Sequence, residues 1–133
     1  MFDIQPHQII YLEHEHTRLY VEAIQMVKAR KLCWARPLVL LSQTSDSSET
    51  LITPDFSYLG SDNLSLYALN ESPDILWPIE LFHPALDTEV LPLLSLLGAA
   101  KQQGDNQLNR QRLRQFIQKL WAANQKIFEE KTG

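Results

Sequence analysis

The sequence predicts one α+β domain over residues 1–133: an N-terminal helix, a small antiparallel sheet of about three strands, and two C-terminal helices packed on it. Three stretches carry that reading. Leu32 to Leu41 is too apolar for a surface and closes on the polar Ser42-Gln43-Thr44-Ser45, as a buried strand does. Between His7 and Arg30 apolar side chains recur at steps of three and four, and between Asp105 and Glu130 a second such pattern returns. With 133 residues, 44% hydrophobic and 21% charged, the chain has the composition of an ordinary globular domain.

In the first segment Ile9, Leu12, His16, Tyr20, Ala23, Ile24 and Val27 form the apolar stripe, and Glu13, Glu15, Arg18, Glu22, Gln25 and Lys28 oppose it. That arrangement predicts an amphipathic helix, with Lys28, Arg30 and Lys31 favourably placed at its C-terminal end. The Leu32–Leu41 strand is apolar on both faces and so demands cover on both. Leu51 to Leu59 predicts a further, edge-like strand broken by Pro54, and Leu64 to Leu69 a well-formed one after the turn at Gly60-Ser61-Asp62-Asn63.

The proline-punctuated Ile75–Leu86 segment reads as an irregular loop with a short helical turn at Pro78–Phe82, pinned by Trp77 and Phe82. Thr88 to Lys101 reads as a helix apolar almost all round, which must be covered from more than one side. From Asp105 to about Glu130 one long helix is expected, with Leu113, Phe116, Ile117, Leu120, Trp121, Asn124, Ile127 and Phe128 as its seam.

Charge is unevenly spread. Residues 1–100 hold thirteen acids against five bases, whereas residues 101–126 hold six bases against one acid, within a net charge of −4. Docking of the basic helix on the acidic body is the expectation. A single cysteine, Cys33, excludes an intrachain disulfide and, inside an apolar run, reads as a buried hydrophobe of a reducing cytoplasm. Neither a secretory leader nor an apolar stretch long enough to span a bilayer is visible.

Motifs with chemistry are scarce. In Glu13-His14-Glu15-His16 the two histidines would point roughly 200° apart on a helix, so they predict no metal site. The four glycines are isolated, which leaves no P-loop or dinucleotide fingerprint, and no cofactor is implied. No Gly-x-Ser-x-Gly elbow exists, and no residue presents itself as catalytic. Arg36 stands out as a guanidinium within an apolar strand, in need of a carboxylate, a sheet edge or a ligand.

Leu19-Tyr20, the Cys33-Trp34-Ala35-Arg36-Pro37-Leu38 run, Leu76-Trp77-Pro78 and Phe82-His83-Pro84-Ala85-Leu86-Asp87-Thr88-Glu89 together resemble a family of short, uncharacterised cyanobacterial proteins. The likeness spans residues 10–100 at most. It implies a bacterial cytosolic setting and no particular activity.

Three functions follow as expectations. The first is a non-enzymatic protein-interaction module, an accessory or assembly factor acting through its apolar C-terminal helices on a protein partner or a second copy, with Trp121 as one anchor. The second, from another class, is a small-ligand binder or enzyme with a pocket between the sheet and the Ile75–Leu86 loop, lined by Trp34, Arg36, Trp77 and His83. It requires an Arg36 without a protein carboxylate partner. The third is nucleic-acid binding through Arg110, Arg112 and Arg114, which the acidic balance of the chain disfavours.

Overall fold

In the computed structural model, which describes residues 4–43, 64–69, 73–86, 90–91 and 106–132, the segment read as an N-terminal helix is a β-hairpin. Strand β1 (Ile9–His14) pairs antiparallel with β2 (Thr17–Val27) in continuous register from Ile9↔Glu22 to His14↔Thr17. The physical reason is legible afterwards. Ile9, Ile10, Thr17, Val21, Ile24 and Val27 are β-branched and stiff at χ1, which suits a pleated surface better than a helix. Along β1 and β2 the core-facing residues are Ile10 and Leu12, then Leu19, Val21 and Ala23, a period of two. Tyr11 and Tyr20 are apolar on the other face, so a three-and-four spacing can be drawn through the same residues. Glu15, at φ 55°, makes the turn that a glycine or asparagine ordinarily marks.

A one-turn 3₁₀ segment, Lys28–Arg30, and the left-handed Lys31 (φ 55°) return the chain into β3 (Leu32–Gln43), the strand that the apolar run predicts. β3 lies beside β2 from Val27↔Leu32 to Thr17↔Ser42. On its other edge two neighbours share it: β4 (Leu64–Ala68) pairs with Val39–Gln43, and β5 (Ile75–Pro78) with Leu32–Ala35. The changeover falls around Pro37. There the β2–β3 register shifts, so that Tyr20↔Val39 is followed by Val21↔Pro37 with Leu38 left over. Proline has no N–H for the ladder, and a bulge is where a strand accommodates it. The amide of Leu69 bonds the Leu38 carbonyl at 3.0 Å, using the group that the bulge turns outward.

After β5 come a 3₁₀ turn, Ile79–Leu81, and the two-residue β6 (His83–Pro84), which pairs with β1 through Tyr11↔His83 and Ile10↔Pro84. Among the described residues the sheet therefore has six strands, ordered β4-β3-β2-β1-β6 with β5 beside β4 on the β3 edge, all pairs antiparallel. This corrects the expected N-terminal helix and three-stranded sheet. The segment expected to be an irregular loop contributes two of the extra strands.

One main helix, α1 (Asn106–Ala123), covers the sheet; a short one, α2 (Gln125–Thr132), follows. The expected single long helix breaks at Asn124, whose Nδ2 donates to the Leu120 carbonyl at 2.9 Å. Leu113, Phe116 and Leu120, at steps of three and four, are buried against Ile10, Leu12, Leu19, Val21, Ala23, Cys33, Ala35 and Leu40. Trp77, Ile75, Ile79 and Phe82 extend the same core. The expected strand at Leu51–Leu59 and, apart from the helical Val90 and Leu91, the expected Thr88–Lys101 helix lie outside the described residues. No helix among the described residues is long and apolar enough to cross a membrane.

The second face of the sheet is not bare. Tyr20, Val39 and Leu41 are fully buried there, and Arg18 is buried with them. Arg18 Nε donates to Glu13 Oε2 at 2.6 Å, Nη1 reaches Tyr20 Oη at 3.4 Å, and the guanidinium lies 4.3 Å from the centre of the Tyr11 ring. Burial disfavours this cation, but the bonds to Tyr20 and Glu13 outweigh it and raise its pKa above the ordinary arginine value.

Candidate functional site

Two surfaces carry more chemistry than packing requires, and they lie at opposite ends of β3. The first is an apolar patch where β5 meets β3. Register sets Leu76 opposite Trp34 on the face turned away from the core, because their neighbours Ile75, Trp77, Cys33 and Ala35 all point inward. Trp34 is 39% exposed and Leu76 50%, and with Val27, Asp74 and Ile75 they line a shallow groove of about 230 Å³. Asp74 organises the patch. Its Oδ2 accepts from Trp34 Nε1 at 2.9 Å, and its Oδ1 stands 3.5 Å from Arg36 Nε. Trp34 is thus fixed in orientation while its ring stays accessible.

The second surface is a cleft of about 160 Å³ between α1 and the far end of the sheet. Two rows of cross-strand partners explain its polarity. Leu12, Leu19, Leu40 and Tyr67 are successive partners across β1 to β4, and the next row on the same face is His14, Thr17 and Ser42. The core stops between those rows. Over the polar row α1 presents Arg112, Gln115 and Lys119, spaced by three and four beside its buried stripe. The Arg112 guanidinium sits 4.4 Å from the Tyr67 ring centre, and its buried Nε has no hydrogen-bond partner among the described residues. Among the described residues Glu15 is the one carboxylate of the lining, 3.7 Å from His14 Nε2.

The residues singled out from sequence do not gather in one place. Trp34 and Arg36 share the Asp74 patch, whereas Trp77 is buried in the core beside Cys33. His83 is on β6, separated from β3 by β2 and β1, exposed and stacked on Tyr11 with ring centres 5.2 Å apart. A pocket containing Trp34, Arg36, Trp77 and His83 is therefore not formed. Arg36 is 57% exposed and has its carboxylate, which answers the need that the sequence raises. Trp121 is half exposed on α1. Arg110 and Arg114 lie on the exposed side of that helix, while Arg112 turns toward Tyr67, so the three arginines do not make one strip.

A proline-rich segment hides the strand register that brings Asp74 and Leu76 beside Trp34. The cleft has little signature in the sequence, since His14 and Thr17 become neighbours only in a hairpin. The spacing of Arg112, Gln115 and Lys119 is the one sign of it in the sequence. Among the described residues no three His, Cys, Asp or Glu side chains converge as a metal site would require. Burial pushes the Cys33 thiol up to about 11, as for an inert core cysteine rather than a nucleophile. In comparison with known proteins, the chain matches no family model, no curated protein and no solved structure.

Proposed function

We propose that the chain is a non-enzymatic protein-interaction module that docks through the Trp34–Leu76 patch, with a second copy of itself as the partner. The observation that carries the reading is the accessible Trp34 ring, held in place by Asp74 and set beside a half-exposed Leu76. Tryptophan and arginine dominate the energetics of protein interfaces, and a side chain already fixed before binding loses little entropy on docking. Arg36 and Asp74, 3.5 Å apart, lie together beside the apolar centre, so a second copy meets a charge-balanced edge without net repulsion. Among the described residues β5 pairs only with β3, which leaves its outer edge alongside the patch. The buried Cys33 suits a reducing compartment such as a bacterial cytoplasm.

The test is sedimentation velocity from about 1 to about 100 μM, which brackets a dissociation constant near 10 μM. The wild-type chain is expected to shift from monomer toward dimer across that range. Leu76→Lys, at an exposed position, should leave far-UV circular dichroism unchanged and hold the chain monomeric. A wild-type chain that stays monomeric throughout, or a Leu76→Lys variant that dimerises equally well, sinks the proposal.

A further inference from the structure

The geometry points to the cleft between α1 and the β1–β2 turn as a binding site for a small phosphate-bearing ligand, separate from the Trp34 patch. Four observations carry it. Arg112 and Lys119 are two cations on one side of α1, and neither has a carboxylate within ion-pair distance among the described residues. α1 itself contains four bases and no acid, so nothing on the helix neutralises them. The Arg112 guanidinium is held against Tyr67, and its buried Nε–H lacks an acceptor. With Nε shut off from solvent, it is the outer N–H groups of the guanidinium that a bound oxyanion can reach in the cleft.

The opposite wall supplies neutral donors at the right place. The Thr17 and Ser42 hydroxyls are cross-strand partners, with His14 next in the row and Gln115 facing them from the helix. A planar fork, a point charge and a pair of hydroxyls arranged around one small volume match the several acceptor oxygens of a phosphate better than the two of a carboxylate. Glu15 sets a limit on size. It lines the mouth beside His14, and a ligand whose further charges extend that way meets repulsion. The favoured ligand therefore carries one phosphate group with an otherwise neutral remainder.

The experiment follows the thermal midpoint and heat of binding of the full chain against inorganic phosphate, with sodium chloride and sodium acetate at matched ionic strength as references. Saturable stabilisation by phosphate alone is expected, with a dissociation constant on the order of 1 mM. Lys119→Ala, at an exposed helix position, should fold normally and weaken binding about tenfold, and Arg112→Lys should do the same by removing the fork while keeping the charge. Glu15→Gln is expected to tighten binding. Equal stabilisation by acetate or chloride, undiminished affinity in both Lys119→Ala and Arg112→Lys, or preferential, salt-sensitive binding of an oligonucleotide through Arg110 and Arg114 would each overturn the assignment. Because Leu76→Lys lies outside the cleft, it should leave phosphate binding as it was.

Discussion

Cys33 shows how one buried group couples to pH. Its thiol has an ordinary value of 9.0 and is pushed up to about 11 by burial in the folded chain. Between pH 9 and 11 the unfolded chain gives up a proton that the folded chain keeps, so stability falls as pH rises through that window and is unaffected below it. The loss amounts to roughly 2 kcal/mol by pH 11. Urea titrations at pH 8 and pH 10.5 test this against Cys33→Ala, which removes the thiol. The stability margin of the wild type over that variant should shrink by most of this amount, and a constant margin would contradict the assignment. Arg36 teaches a different lesson at the same scale. Its charge in an apolar run calls for a carboxylate, a sheet edge or a ligand, and the structure supplies the first: the strand alternates faces, and Arg36 falls on the outward one with Trp34, where Asp74 meets it.

Among the elements, α1 has the clearest dependence on single side chains. Phe116 is buried between the helix and the Leu12, Leu19 and Leu40 row of the sheet, and Phe116→Ala should cost about 3–5 kcal/mol, read as a lowered urea midpoint at unchanged slope. A cost below about 1 kcal/mol would mean that the helix does not close this core. The helix and β3 were legible in the sequence because each has a single dominant pattern: Leu113, Phe116 and Leu120 at helical spacing, and Leu32 to Leu41 as one uninterrupted apolar run. β1 and β2 were not legible as strands. Both faces of the hairpin hold large apolar groups, with Ile10 and Leu12 on one and Tyr11 on the other, so alternation is blurred and a helical stripe can be traced through it. The turn at Glu15 compounds the ambiguity, since its positive φ is carried by a residue that does not announce a hairpin. β5 and β6 are short and bounded by Pro78 and Pro84, which mark loops more often than strands. Of the two surfaces, Trp34 and Arg36 could be named in advance. Asp74, Leu76 and the whole His14, Thr17 and Ser42 row required the register.

On the scale of the whole molecule, the sheet separates what the sequence lists side by side. The Trp34 patch and the cleft at Ser42 are roughly 25 Å apart along β3 and on opposite faces of it. The basic α1 lies on one of those faces, so two of its four bases, Arg112 and Lys119, line the cleft, while the apolar patch keeps the paired charges of Arg36 and Asp74. β3 does not run as one rigid rod between them. At Pro37 it exchanges one outer neighbour for another, and the ladder that would carry a displacement from end to end is interrupted there. The two proposed sites are thereby expected to be insulated from each other, with a linkage free energy near zero: saturating phosphate should alter the dimer dissociation constant by less than about twofold.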